Sequence, residues 1–122
     1  MKVLILGNSN IFQRKIYFAL KKFKNIEIEV ASKRKIDKKL KIKKNYFSYN
    51  EAINNTEAKL VYISLINSKH CYWALKSLKN NKHVIVDKPL ALNFEQSNKL
   101  LKLAIKKQLL LSEAIVFQYH DQ

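Results

Sequence analysis

The sequence contains few of the residues that interrupt regular structure or that build covalent and metal frameworks. Its 122 residues include one glycine, one proline and one cysteine. A lone cysteine, Cys71, excludes an intramolecular disulfide and a cysteine-rich zinc site. We therefore expect no metal centre and predict a reducing, cytoplasmic setting. No apolar run approaches the roughly 18 residues that indicate a membrane span, so no membrane association is expected.

Acidic residues are also scarce. There are 9 aspartates and glutamates against 24 lysines and arginines, which gives a formal net charge of +15. This excess is typical of nucleic-acid binders, but Arg14 and Arg34 are the only arginines, and specific phosphate and base recognition favours the planar fork of arginine. We interpret the lysines as codon bias and solubility, with nucleic-acid binding as the weaker alternative. The lysine-rich segment 33–44 is expected to be a solvated loop or a short surface helix.

Hydrophobic periodicity predicts strands and helices in alternation. The predicted strands are residues 2–6, 25–32, 45–49, 59–65, 83–86 and a last one starting at 109. Predicted helices carry apolar residues at helical spacing: Ile16, Ala19, Leu20 and Phe23, then Cys71, Ala74, Leu75 and Leu78, then Leu100, Leu103 and Ala104 after a capping box at Asn93 and Gln96. This alternation predicts a doubly wound parallel α/β sheet of about six strands with helices on both faces.

The only glycine, Gly7, lies where the first predicted strand turns into the first helix. The dinucleotide-binding pattern G-x-G-x-x-G/A falls here on Gly7, Ser9 and Phe12, so two of its glycines are replaced. Ser9 is small enough for the backbone to approach a phosphate, and its hydroxyl could donate to one, whereas Phe12 is expected to push the helix outward or to turn aside. The free N–H groups of the helix start, including Asn10 and Ile11, favour an anion. A flavodoxin-like domain would also fit this turn.

The end of the second predicted strand carries Ser32, Lys33 and Arg34 in place of the acidic residue that usually binds the ribose of NAD. A carboxylate repels a 2′-phosphate, whereas a serine and two cations attract it. These residues predict NADP in preference to NAD. The alternative is that the two cations simply begin the lysine-rich segment.

The segment VYISLINSKHCYWALKSLKNNKHVIVDKPLALN, residues 61–93, resembles the central signature of the glucose–fructose oxidoreductase/inositol dehydrogenase (Gfo/Idh/MocA) family. That signature reads V-Y-I-A-T-P-N-x-x-H, then W-A-L-x-x-L-x-x-G-K-H-V, then E-K-P-L-A. The tail SEAIVFQYHDQ resembles the family segment E-A-x-x-F-R-Y-H-P. The resemblance implies a Rossmann-like fold and an NAD(P)-dependent oxidoreductase acting on sugars, polyols or nucleotide sugars.

The resemblance also implies a catalytic residue. The lysine of E-K-P lies near the nicotinamide and the substrate in this family, and it corresponds to Lys88, with Asp87 replacing the glutamate and Pro89 retained. Lys88 is expected to hydrogen-bond the cofactor ribose and the reacting hydroxyl, and so to stabilise alkoxide character during hydride transfer. Pro89 restricts the backbone of that lysine. The alternative is a solvated Lys-Pro turn.

Further site residues follow from the resemblance alone. The implied cofactor contacts are Asn67, His70, Asp87, Lys88, Pro89 and Glu113, the last placed after the final strand on the nicotinamide side. His70 could instead be a capping or packing residue, and packing is also the alternative for the matching residues Trp73, Tyr119 and His120. Departures from the pattern weaken the expected cofactor affinity: Leu65 and Ile66 for Thr-Pro, Asn81 for glycine, and Gln118 for arginine.

Family members continue into a second domain that supplies substrate contacts and an acid/base histidine. The sequence ends at Gln122, so we expect residues 1–122 to be a single dinucleotide-binding domain that lacks the substrate domain. It would bind NADP or NAD without turnover, take a sugar-type substrate only with a second domain, and be able to form a homo-oligomer. The alternatives are a non-catalytic remnant or interaction protein that has lost dinucleotide binding and, less favoured, a nucleic-acid binder.

Overall fold

Residues 1–114, the part of the chain that the computed structural model describes, form a six-stranded sheet covered by helices. The strands are β1 (Lys2–Leu6), β2 (Glu27–Ala31), β3 (Lys44–Tyr46), β4 (Leu60–Ile63), β5 (His83–Asp87) and β6 (Leu111–Ala114). The α-helices are α1 (Tyr17–Lys21), α2 (Tyr49–Asn55), α3 (His70–Lys79) and α4 (Phe94–Lys107); a π-helical stretch, Phe12–Ile16, leads into α1, and a 3-10 helix, Asn67–Lys69, leads into α3.

All neighbouring strands are parallel, in the order β3-β2-β1-β4-β5-β6. The chain therefore runs outward from β1 to β3 at one edge of the sheet, returns to β4 beside β1, and runs outward to β6 at the other edge. This is the strand order of dinucleotide-binding folds, and the prediction of a doubly wound parallel sheet is confirmed. The crevice between the carboxyl ends of β1 and β4 is the switch point of this topology.

The core has one layer on each face of the sheet. On one face, α1 packs through Tyr17 against Val3, Ile28 and Val30. The other face is covered by α2, α3 and α4 through buried residues such as Ile53, Leu78 and Leu100. Strands covered on both sides carry continuous apolar runs, which is why KVLIL in β1 and LVYI in β4 were readable as buried strands.

The first helical segment is present, and it buries the predicted side only in part: Ile16 and Leu20 pack against the core as predicted. Phe12 and Tyr17 are buried, whereas Ala19 and Phe23 are exposed. The π-helical stretch explains the difference, because a wider turn inserts an extra residue and shifts the register of the buried side. The predicted burial of Ala19 and Phe23 is therefore wrong.

Two further predictions concern the lysine-rich segment and the position of Glu113 relative to the last strand. The lysine-rich segment is a loop before β3, and Ile36, Leu40 and Ile42 within it pack onto the core. Glu113 lies within β6 and not after it, because the last strand extends to Ala114. The predicted residues Gln118, Tyr119 and His120 lie outside the described part of the chain. None of the described helices is long and apolar enough to cross a membrane.

Candidate functional site

The turn after β1 depends on its glycine for two separate reasons. Gly7 has a φ of +101°, in the region that side chains disfavour. A Cβ on Gly7 would overlap the Ser64 carbonyl oxygen and lie 2.7 Å from Leu65 Cδ2. The Gly7 N–H donates to the Ala31 carbonyl at 2.9 Å, which fixes the turn to the end of β2. Gly7 therefore lets the ends of β1 and β4 approach closely at the switch point.

Ser9 begins the helical segment as its N-cap. Its hydroxyl accepts from the Phe12 N–H at 3.0 Å, and its carbonyl accepts from the Gln13 N–H at 3.0 Å. Asn10 and Ile11 are exposed, and their N–H groups donate no hydrogen bond within residues 1–114. Two backbone donors thus remain for an anion at the positive end of the helix.

Phe12 does not enter the phosphate position. Its side chain is completely buried and contacts Tyr17 edge-on, with ring centroids 6.2 Å apart. It fills the space between the helical segment and the sheet where the fingerprint's third glycine permits close packing. The bulky residue has therefore turned aside, one of the two outcomes expected for it.

A chain of hydrogen bonds joins the carboxyl ends of three neighbouring strands. The Ser9 and Ser64 hydroxyls are hydrogen-bonded, and Ser64 Oγ donates to Asp87 Oδ2 at 2.6 Å. Tyr62 Oη donates to Asp87 Oδ1 at 2.5 Å. Both carboxylate oxygens of Asp87 are therefore occupied by hydroxyl donors, and this set, Ser9, Ser64, Asp87 and Tyr62, is called the edge network below.

The loop that carries Lys88 is fixed at the peptide group directly after its proline. Lys88 is exposed, and the Lys88–Pro89 peptide bond is cis. The Pro89 carbonyl lies 2.6 Å from His70 Nδ1, and the Leu90 N–H donates to Glu113 Oε2 at 2.7 Å. Glu113 thereby supports the loop from the neighbouring strand.

His70 joins this loop to the end of β4. Its Nε2 lies 2.8 Å from the Leu65 carbonyl oxygen, and its side chain is completely buried. Both ring nitrogens face carbonyl oxygens, which only accept, so whichever nitrogen carries the proton donates a hydrogen bond within the protein. This placement agrees with the packing alternative for His70. Asn67 starts the preceding 3-10 helix and is exposed at the same edge.

A groove of about 470 Å³ lies beside the turn, between it and the lysine-rich loop. Its lining residues are Asn8, Gln13, Arg34, Lys35, Ile36, Asp37 and Lys38. The buried Ser32 hydroxyl accepts from the Arg34 N–H at 3.0 Å and so shapes the bend that presents Arg34. Lys33 is exposed but does not line the groove. Three cations against one carboxylate make the groove suited to an anion.

Asn8 supplies a further indication of a ligand. Its Oδ1 atom is buried and has no hydrogen-bond partner within residues 1–114. A buried amide oxygen without a partner is costly unless a ligand or water satisfies it. The atom belongs to a groove-lining residue directly after Gly7, so it suits a hydroxyl donor such as a ribose.

A larger groove, of about 700 Å³, lies at the amino ends of the strands, opposite the turn after β1. It is lined mainly by apolar surface around Met1, Leu60 and Leu110, with His83 at its side. Ligands of parallel α/β sheets bind at the carboxyl ends of the strands, whereas this groove lies at the amino ends. We therefore place the functional site at the edge that contains Gly7 and Lys88.

Cys71, the only cysteine of the sequence, is not an activated thiol. Burial raises the pKa of the Cys71 thiol, against the opposing charge of Lys99, so the thiol stays protonated at neutral pH. Within the described residues, no three histidine, cysteine, aspartate or glutamate side chains form a group that could hold a metal ion.

Sequence patterns missed four residues of this edge: Asn8, Lys35, Tyr62 and Ser64. Asn8 lay inside the turn but outside the three fixed positions of the G-x-G-x-x-G/A pattern. Lys35 lay in the lysine-rich segment 33–44, which was expected to be solvated. Ser64 directly follows β4, whereas the predicted strand, residues 59–65, extended beyond it. Its meeting with Ser9 and Asp87 depends on the order of the strands.

Comparison with known proteins agrees with this arrangement. Residues 1–115 match the Gfo/Idh/MocA family, described as an oxidoreductase family with an NAD-binding Rossmann fold. The uncharacterized oxidoreductase ORF334 from Rhizobium meliloti is 28% identical over 124 residues, covering 97% of this chain and 37% of that protein.

Solved structures of similar fold include KijD10, a 3-ketoreductase from Actinomadura kijaniata, in complex with NADP and TDP-benzene. It has a TM-score of 0.90 and 26% identity, covering 100% of this chain and 39% of that one. Biliverdin reductase from Synechocystis, in complex with biliverdin and NADP+, has a TM-score of 0.82 and 26% identity, covering 92% and 37%. The chain thus spans less than half the length of these relatives. Because the family match extends over residues 1–115, the chain belongs to the Gfo/Idh/MocA family of oxidoreductases.

Proposed function

We propose that this chain is the NADP(H)-binding part of an oxidoreductase that transfers hydride to or from a hydroxyl of a sugar, polyol or nucleotide sugar. The observation that carries the proposal is the meeting of the Gly7 turn and the Lys88 loop at one edge of the sheet, joined through the edge network. Residues 1–122 would act as one dinucleotide-binding domain. Turnover would require a substrate domain, since the relatives are more than twice as long.

The residues at this edge fit a dinucleotide in three places. The Asn10 and Ile11 N–H groups suit the pyrophosphate, and the buried Asn8 Oδ1 suits a ribose hydroxyl. Arg34 and Lys35 suit a 2′-phosphate, because the groove they line is predominantly positive. These features support NADP over NAD, and the similar structures named above contain NADP.

Bound NADP(H) would supply the nicotinamide that accepts or donates the hydride. Lys88 would hold its ammonium group toward the reacting hydroxyl and stabilise the negative charge that develops on the oxygen. Asp87, His70 and Glu113 would act by fixing the loop around Lys88. Asn67, exposed at the neighbouring loop, would contact the same end of the cofactor.

Support for the substrate class comes from relatives. A relative from Actinomadura kijaniata, 25% identical over 127 residues, is a dTDP-3,4-didehydro-2,6-dideoxy-alpha-D-glucose 3-reductase. A ketone or secondary alcohol on a sugar ring suits this proposal, because its oxygen carries the developing negative charge that the Lys88 ammonium would stabilise.

Calorimetric titration of the 122-residue chain with NADPH and NADH tests the proposal. We expect saturable binding of NADPH, tighter than that of NADH. Arg34→Ala should weaken NADPH binding about 10- to 100-fold, the value of a charged hydrogen bond, and change NADH binding little. The matched control is Arg14→Ala, since Arg14 is the other arginine, is exposed and does not line the groove. Absence of saturable binding to either dinucleotide would favour a remnant that has lost the cofactor.

A further inference from the structure

The direction of every proton in the edge network can be assigned from its chemistry. Ser64 donates its single hydroxyl proton to Asp87 Oδ2. Ser64 can then only accept from Ser9, so the Ser9 proton is directed to Ser64. Ser9 Oγ meanwhile accepts from the Phe12 N–H. The one proton of the Ser9 hydroxyl is therefore committed, and only the backbone of Ser9 remains as a donor for a phosphate.

We propose that Ser64 and Asp87 are positioning residues that couple the Gly7–Ile11 turn energetically to the Lys88 loop. This inference rests on the proposed function for its ligand, but the coupling itself belongs to the protein alone. It assigns to Ser64 a positioning role in the site. Asp87 likewise acts by positioning the Lys88 loop and not by direct contact with the cofactor.

The contacts support a coupling for two reasons. Asp87 directly precedes Lys88, and its two oxygens are held by the hydroxyls of Tyr62 in β4 and of Ser64 directly after β4. Ser9 is the N-cap of the helix whose first N–H groups face the anion site, so a displacement of this cap changes both the helix start and the Ser64 contact. Hydrogen bonds to a charged group, at a partly buried site, are strong enough to transmit such a change.

A purely local stabilising role would have different consequences. It would lower the free energy of unfolding, and it would change the binding of both halves of the dinucleotide equally. A coupling makes the binding of the nicotinamide half depend on Ser64 and Asp87, which lie between the Gly7–Ile11 turn and the Lys88 loop. Adenosine 2′,5′-bisphosphate provides the comparison ligand, because it retains the adenosine phosphates and lacks the nicotinamide half.

The first experiment measures the affinities of both ligands in Ser64→Ala, Asp87→Asn and the double variant. Each single change should weaken NADPH binding about tenfold. The double variant should also be weakened about tenfold and not about a hundredfold, because either change breaks the same chain. The bisphosphate affinity should stay within about twofold in Asp87→Asn. Additive losses, unchanged NADPH affinity, or equal losses for both ligands would overturn the proposal.

The second experiment needs no ligand. Ser9→Ala should accelerate amide hydrogen exchange of Leu90, whose N–H is bonded to Glu113 beyond the far end of the network. The matched control is Ser48→Ala, which removes the same kind of cap, a serine hydroxyl that accepts from the Glu51 N–H at 3.2 Å in α2. Equal Leu90 exchange in the two variants contradicts the coupling. If the unmodified chain binds no NADPH, the proposed function fails and the Leu90 exchange still decides the coupling.

Discussion

Replacement of Gly7 by alanine tests the close approach on which the site depends. The new Cβ would overlap the Ser64 carbonyl oxygen and lie 2.7 Å from Leu65 Cδ2, well inside van der Waals contact. The clashing oxygen belongs to the backbone at the end of β4, so a side-chain rotation cannot relieve the overlap. The ends of β1 and β4 would have to separate, which disturbs the Ser9–Ser64 contact as well.

The expected loss of stability has two components. A side chain at a φ of +101° costs about 1–2 kcal/mol relative to glycine. Overpacking at a well-packed position adds about 1–3 kcal/mol. We therefore expect Gly7→Ala to lower the free energy of unfolding by about 2–5 kcal/mol, a large part of the roughly 5–15 kcal/mol typical of a domain.

Urea unfolding followed by circular dichroism measures this loss. Gln108→Gly gives the backbone component separately, because Gln108 is exposed with a φ of 57° and its replacement removes a Cβ from a similar conformation. That variant should be stabilised by up to about 1–2 kcal/mol. A loss below about 1 kcal/mol in Gly7→Ala would refute the close approach of the two strand ends.

Three other predictions concern single contacts. Asn93→Ala removes the side chain that accepts from the Gln96 N–H at 2.9 Å at the start of α4, and should lower the free energy of unfolding by about 1 kcal/mol, measured by urea unfolding, without changing NADPH affinity; an unchanged stability would contradict the cap. Glu113→Ala should accelerate amide exchange of Leu90 at least about tenfold, whereas Glu113→Gln, which keeps an acceptor, should have a smaller effect. Because burial raises the pKa of Cys71, iodoacetamide should modify it more slowly in the folded chain than in urea at pH 8, as followed by intact mass, and equal rates would argue against that burial.

The fold was predictable because local patterns and global topology agree. Apolar runs indicated the strands, and helical spacing located α3 and α4 through residues that are indeed buried, such as Ala74 and Leu100. Asn81, the residue in place of a family glycine, has a left-handed conformation with a φ of 63°, which asparagine tolerates better than most residues. Asn93 caps α4 as predicted by accepting from the Gln96 N–H, whereas the Gln96 side chain accepts from the Leu92 N–H and not from that of Asn93.

The candidate site was less predictable because it depends on contacts between distant residues. Ser9 and Ser64 are 55 residues apart, and they meet only because β1 lies beside β4. The hydrophobic periodicity of a sequence does not reveal the order of the strands in the sheet. The buried side of the first helix was predicted only in part, because a π-helical turn around Phe12 shifts its register, and such a turn has no signal in the hydrophobic spacing.

Similarly, residue types did not reveal which polar groups are already satisfied. The Ser9 hydroxyl was a candidate phosphate donor, yet its proton is directed to Ser64. His70 was a candidate cofactor contact, yet both of its nitrogens face carbonyl oxygens inside the protein. A hydroxyl or an imidazole becomes available to a ligand only when the fold leaves it without such partners.

Amide hydrogen exchange of the 122-residue chain with and without NADPH tests the location of the site most directly. The account predicts slower exchange at the turn after β1, around Arg34 and around Lys88, with no change at the groove around Leu60 and Leu110 at the opposite edge. Slower exchange confined to that opposite groove, or none at saturating NADPH, would contradict it.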